Sequence, residues 1–250
     1  MNIEEVLKDK HLENVIKSIN REIMFIALVG SHGQKLDNKK SDIDIVIVIA
    51  NTIDELLGIE HLNCSMPSIV NTHCNIISFN DLVQNLVYGI FEDIELIGLS
   101  NEFYSNISAT GKLFLDNRKL FISKQIITSA NKHALKQIDW INKSIDNDNK
   151  SKSMLHLIRT YITTLNILNN KFIWTTLDDF NDIDLLLSVK QGNYIDSNNN
   201  IKDNFWLLLD NYKNKINELI KISEIPDNID LQKINQLVIN INKISINEVK

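Results

Sequence analysis

Two short apolar runs, separated by a glycine turn and a polar connection, set the terms on which this chain can fold. Residues 25–29, Phe-Ile-Ala-Leu-Val, stop at Gly30-Ser31, and residues 43–49, Ile-Asp-Ile-Val-Ile-Val-Ile, begin just after Ser41-Asp42. The second run is almost wholly β-branched, as suits a strand buried on both faces. A glycine at the turn leaves room for a ligand to approach the backbone and for free amides to face an anion. The pattern predicts strand, anion-facing turn, polar connection, strand.

A pair of carboxylates sits at the mouth of the second strand. Residues i and i+2 of a strand point to the same face, roughly 6–7 Å apart at the backbone, so Asp42 and Asp44 can converge on one point. Adjacent carboxylates repel at neutral pH, and a hard divalent cation, magnesium or manganese, resolves the conflict. A magnesium ion held this way keeps positions for water and triphosphate oxygens, the ligand set of a metal-assisted nucleotidyl transfer.

Gly30-Ser31 followed by Ser41-Asp42-Ile-Asp44 resembles the signature of the DNA polymerase β-like nucleotidyltransferase superfamily. The resemblance implies that Gly30 and Ser31 hold the phosphates of an NTP such as ATP, and that Asp42 and Asp44 hold two magnesium ions. The superfamily's further glycine usually comes later than Gly33 does here. It also takes a third carboxylate from the next strand, as metal ligand or as base, yet no Asp or Glu lies between Glu60 and Asp81. His73, beside Asn71 and Asn75, occupies roughly that position. A histidine can serve as a base near neutral pH. It can equally be an ordinary strand histidine, and the residues leave both readings open.

Later segments follow in the order of one branch of that superfamily. They are 91–99 with its acidic residues, Phe121-Ile-Ser-Lys124, Lys152 through Arg159, 184–192 and Ile225-Pro226-Asp227. This order, across about residues 25–238, is similar to the RlaP-like predicted nucleotidyltransferases associated with RNA repair. The resemblance implies an RNA end as one possible acceptor.

Composition narrows the setting. With 250 residues, 44% hydrophobic and 23% charged, the chain can bury a full core as one domain or two small ones. A net charge of -6 argues against broad, nonspecific duplex binding. Cys64 and Cys74 have no zinc-site spacing and are expected to be reduced thiols. With no signal-like N-terminus and no apolar run long enough to span a bilayer, the expectation is a cytoplasmic protein without membrane contact. The Asn, Ile and Lys content reads as the bias of an AT-rich genome.

Periodicity predicts the rest. Residues 3–22 form an amphipathic helix, 51–57 a helix capped by Asn51 or Thr52, and 66–79 a third strand leading into a helix capped by Ser78 or Asn80 and ending at Tyr88. Apolar steps of three and four predict helices over 123–145 and over the stretch containing Met154 to Leu168. Between these two, 146–151 reads as a polar loop with a serine cap. Lys152, His156 and Arg159, spaced by four and three, share a face away from the apolar stripe. That face is either a solvated surface or, as the resemblance implies, a helper for triphosphate. Further helices are expected over about 182–189, 200–222 and 231–244, with Gly192 as a C-cap. Trp206, Leu207, Leu209 and Tyr212 are expected in the core.

The expected fold is α+β: a polymerase β-like nucleotidyltransferase sheet with flanking helices over 1–115, followed by an all-α C-terminal domain over 116–250. The expected reaction is transfer of a nucleoside monophosphate from an NTP to a hydroxyl acceptor with release of pyrophosphate. Two alternatives stand beside it. One is a degenerate module that binds nucleotide or an RNA end without turnover. The other is a small-molecule or protein nucleotidyltransferase of antibiotic-modifying or toxin type.

Overall fold

The computed structural model describes residues 3–34, 36–37, 41–57, 64–65, 72–175 and 180–248. The fold is α+β, and the chain divides into two compact units, Met1–Phe121 with Ile229–Lys250, and Ile122–Asn228.

The first unit opens with helices α1 (Ile3–Val6) and α2 (Lys10–Ser18) rather than one continuous helix. Asp9 makes the break: its backbone is extended and its side chain accepts from the amides of His11 and Leu12, starting a new helix. Strands β1 (Ile23–Val29) and β2 (Ile43–Ile49) fall on the expected apolar runs. Helix α3 (Ile53–Leu57) is opened by Thr52, whose hydroxyl accepts from the Glu55 amide at 3.2 Å while the Glu55 carboxylate accepts from the Thr52 amide at 2.9 Å. That reciprocal pair is a capping box. Asn51 instead accepts from the amide of Asn80 at 2.9 Å, tying the end of β2 to the next helix.

Strand β3 (Cys64–Ser65) and strand β4 (Thr72–Ser78) complete that side of the sheet. The expected start of the third strand, 66–71 with Asn71, lies outside the described residues. Ser78 caps α4 (Phe79–Tyr88), which ends at Gly89. Helix α5 (Phe91–Ile97), the short strand β5 (Tyr104–Ser105) and α6 (Ala109–Asp116) follow. The sheet is five-stranded, ordered β3-β4-β2-β1-β5, with β2 and β4 parallel and the other pairs antiparallel. Phe25, Phe79, Phe114 and Phe121 pack in an aromatic cluster with centroids 5.3–6.1 Å apart, which fastens α4 and α6 to β1.

The second unit is helical: α7 (Ile126–Lys143), α8 (Asn147–Leu168), α9 (Phe180–Lys190) and α10 (Asp203–Ile222). Helix α8 is the centre on which α7, α9 and α10 pack. It starts at Asn147, not after a polar loop, because Asp146 accepts from the Asn149 amide at 3.1 Å and caps it; Ser151 is buried inside the helix. Gly192 follows α9 in the left-handed conformation, its amide bonded to Val189. On α10 the buried stripe is Phe205, Leu209, Tyr212 and Ile216; Leu207 points outward and is 65% exposed.

The last helix, α11 (Leu231–Glu248), groups with the first unit, where it packs on α6, rather than with the helices of 116–250. The Asn242 side chain donates to that of Asn80 at 3.1 Å. The two ends of the second unit are tied by Lys124, whose amide donates to the Pro226 carbonyl at 2.8 Å and whose ammonium lies 3.0 Å from Asp227. Among the described residues no helix is long and apolar enough to cross a membrane.

Candidate functional site

Antiparallel pairing sets Val29 opposite Asp44, so the turn after β1 lands beside the carboxylate at the start of β2. Gly30 has φ of +64°, which an L side chain rarely adopts. A Cβ built on Gly30 would run into the Asp44 carboxylate. The residue is glycine for two independent reasons, and the second places its backbone against Asp44.

The turn continues as a 3-10 segment, His32–Gln34. A Cβ on Gly33 would collide with the Leu28 carbonyl and lie 3.4 Å from Leu99 Cδ2. The glycine that comes early in the motif is thus the one that lets the turn fold back over β1. Behind it, the end of α5 is held by buried groups: Arg118 donates to the Ile97 carbonyl at 3.1 Å, and the Tyr104 hydroxyl donates to Leu96 at 2.6 Å. Burial pushes the Tyr104 hydroxyl's pKa up and the Arg118 guanidinium's down.

Parallel pairing sets His73 opposite Asp44 on the other side. Directly paired residues share a face, so Asp44, His73 and Val29 line one side of the sheet. Asp44 is half-buried and His73 exposed. Asp42 lies one residue before β2, half-buried, and Ser31 follows Gly30 in the turn. Gly30, Ser31, Asp42, Asp44 and His73 therefore all sit at one end of the sheet.

The remaining three expected residues lie on α8, in the second unit. They do not form an exposed cationic face. Lys152 is exposed, but Arg159 is only 5% exposed because α8 is covered by its neighbours. His156 is neutral rather than cationic: burial first, then the charges of Arg159, His133 and Lys152, push its pKa down to about 3. Its Nδ1 lies 3.3 Å from Arg159 Nη1, and the Thr160 hydroxyl donates to its carbonyl at 2.8 Å.

Two groups escaped the sequence reading. One is Arg118, whose surroundings are assembled from α5, β5 and α6 and leave no local pattern. The other is His32, 4% exposed inside the turn, with Nε2 3.4 Å from the Ser41 carbonyl and Nδ1 3.3 Å from Asp37 Oδ2. The Nδ1 contact is not aligned as a hydrogen bond. The only sequence signal was a histidine between two glycines of a turn.

Among the described residues no three His, Cys, Asp or Glu side chains are grouped to cage a metal ion. What the site has is two carboxylates at the mouth of β2, with a side-chain-free backbone set against Asp44. That donor set suits a hard divalent cation that keeps most of its water and takes the rest of its ligands from a phosphate substrate. No family model matches the chain, and no curated protein matches it.

Proposed function

We propose that the chain is a nucleotidyltransferase of the polymerase β-like kind, moving a nucleoside monophosphate from an NTP to a hydroxyl acceptor. The observation that carries this reading is the apposition of Gly30 to Asp44: the anion-facing turn and the acidic strand mouth meet at one spot. The order of the later motifs, similar to the RlaP-like branch, favours an RNA end as acceptor over a small molecule or protein.

In this reading the amides of Gly30 and Ser31 bind the triphosphate, and Asp42 and Asp44 would hold magnesium or manganese. A bound divalent ion supplies charge neutralisation on the phosphates and lowers the pKa of a coordinated hydroxyl. The acceptor oxygen forms a bond to the α-phosphorus, the α–β bridging P–O bond breaks, and pyrophosphate leaves with the electron pair. The hydroxyl proton must go to a base, and His73, across from Asp44, is the candidate. Lys152 is the one exposed cation of the α8 trio. Arg159 and the neutral His156 would act on the shape of α8 rather than directly on phosphate.

A second reading has its own observation. The strand position across from Asp44 holds histidine where the superfamily supplies a carboxylate, and a site short of one acid suits a module that binds nucleotide without turning it over. Incubation with each NTP, magnesium or manganese and a pool of small RNAs separates the two. Pyrophosphate release supports the transferase; NTP binding by calorimetry with no pyrophosphate supports the binding module.

A further inference from the structure

We infer that His32 is a positioning residue that fastens the Gly30-Ser31 turn to the strand mouth bearing Asp42 and Asp44. The inference rests on the proposed function for its consequence in catalysis, though not for its geometry.

The connection from Ser31 to Ser41 must bring two halves of a site together. Among its described residues, two contacts bear on this. The Leu36 amide donates to the Ser31 carbonyl at 2.9 Å, with the Leu36 side chain buried beneath. The His32 ring, almost wholly buried, reaches from the turn to the Ser41 carbonyl at 3.4 Å. A carbonyl only accepts, so Nε2 carries the hydrogen and donates it. Ser41 directly precedes Asp42, so this bond joins the residue after Ser31 to the residue before the first carboxylate. The Asp37 carboxylate beside Nδ1 adds a contact but is not aligned to take a hydrogen bond.

A buried ring does this better than a loop could alone. The ring belongs to the turn while its Nε2 reaches the strand mouth, and the burial of the ring shields that contact from water. Losing the ring frees the turn to drift from Asp44. Phosphate binding then weakens before the chemical step does, because Asp44 stays on β2.

The test compares His32→Ala, His32→Gln and His32→Asn in the full chain. A glutamine amide nitrogen reaches the place of Nε2, whereas an asparagine nitrogen reaches only that of Nδ1. His32→Ala is expected to raise the KM for NTP by at least about tenfold, the order expected for lost positioning, with kcat much less affected. Hydrogen exchange at the Leu36 amide should be faster in His32→Ala, and glutamine should restore both properties while asparagine restores neither. If wild type turns over no NTP, the proposed function fails, and the exchange contrast alone decides the tether. If His32→Ala does not fold, glutamine against asparagine decides. The inference is overturned if Leu36 exchange and KM are unchanged in His32→Ala, or if asparagine restores them as well as glutamine.

Discussion

The carboxylate of Asp44 occupies the space that a side chain at residue 30 would need. Gly30 also lies in the left-handed region, so alanine there meets strain and collision together. Gly30→Ala should lower stability by on the order of 1–3 kcal/mol, the range for a non-glycine residue held in unfavourable backbone space. It should also reduce nucleotidyl transfer by about a hundredfold or more, the loss that misplacement by an ångström can cause. Thermal unfolding beside a pyrophosphate assay measures both.

Asp93, on α5, gives a pH signature. Burial raises its pKa from the ordinary carboxylate range to about 6, opposed by a hydrogen bond from Asn85 and helped by the charge of Glu92. The folded chain therefore holds this proton more tightly than the unfolded chain does. Stability from this group is fully present below pH about 4 and is lost as pH rises through about 6. Asp93→Asn should raise the melting temperature at pH 7.5 and change it little at pH 4, read by unfolding scans across pH.

His156 tilts the balance the other way. Its folded pKa, about 3, lies below the ordinary 6.5, so its contribution is present above pH 6.5 and lost as pH falls toward 3. NMR titration should find the imidazole neutral at pH 5.5, and His156→Gln should flatten the acid limb of the stability curve. A ring that protonates near 6.5 would contradict the packing described for α8.

The two ties between the ends of the second unit should be unequal. The Lys124–Asp227 ion pair has a carboxylate 80% exposed, so Asp227→Ala should cost at most about 0.5 kcal/mol, as surface pairs do. The bond from the Lys124 amide to the Pro226 carbonyl survives that change. A larger loss on denaturant unfolding would show the ion pair to be the stronger tie.

What was legible in the sequence was what local chemistry fixes. Strand β2 begins and ends where its β-branched run does, Ser78 caps α4, and the Gly30 turn follows the last apolar residue of β1. Each is decided by a residue and its near neighbours. Asp9 sits inside a continuing apolar period and Asp146 opens a polar run, and in each case a single capping carboxylate decides where the helix starts. The burial of Arg159 depends on how α8 packs with its neighbours, and the place of α11 depends on α6; neither is written in its own segment. The pairing of Asp44 with Val29 on one side and His73 on the other follows from strand order, which the residues alone left open.

The most direct measurement follows label from each α-labelled NTP onto RNA, for wild type, Asp42→Ala and Asp44→Asn, with magnesium or manganese. The account predicts label on RNA with one pyrophosphate released per transfer in wild type, and loss of both in the two variants. Full transfer by Asp44→Asn would contradict the assignment of the site. Wild type that binds NTP and transfers nothing would contradict the transferase itself.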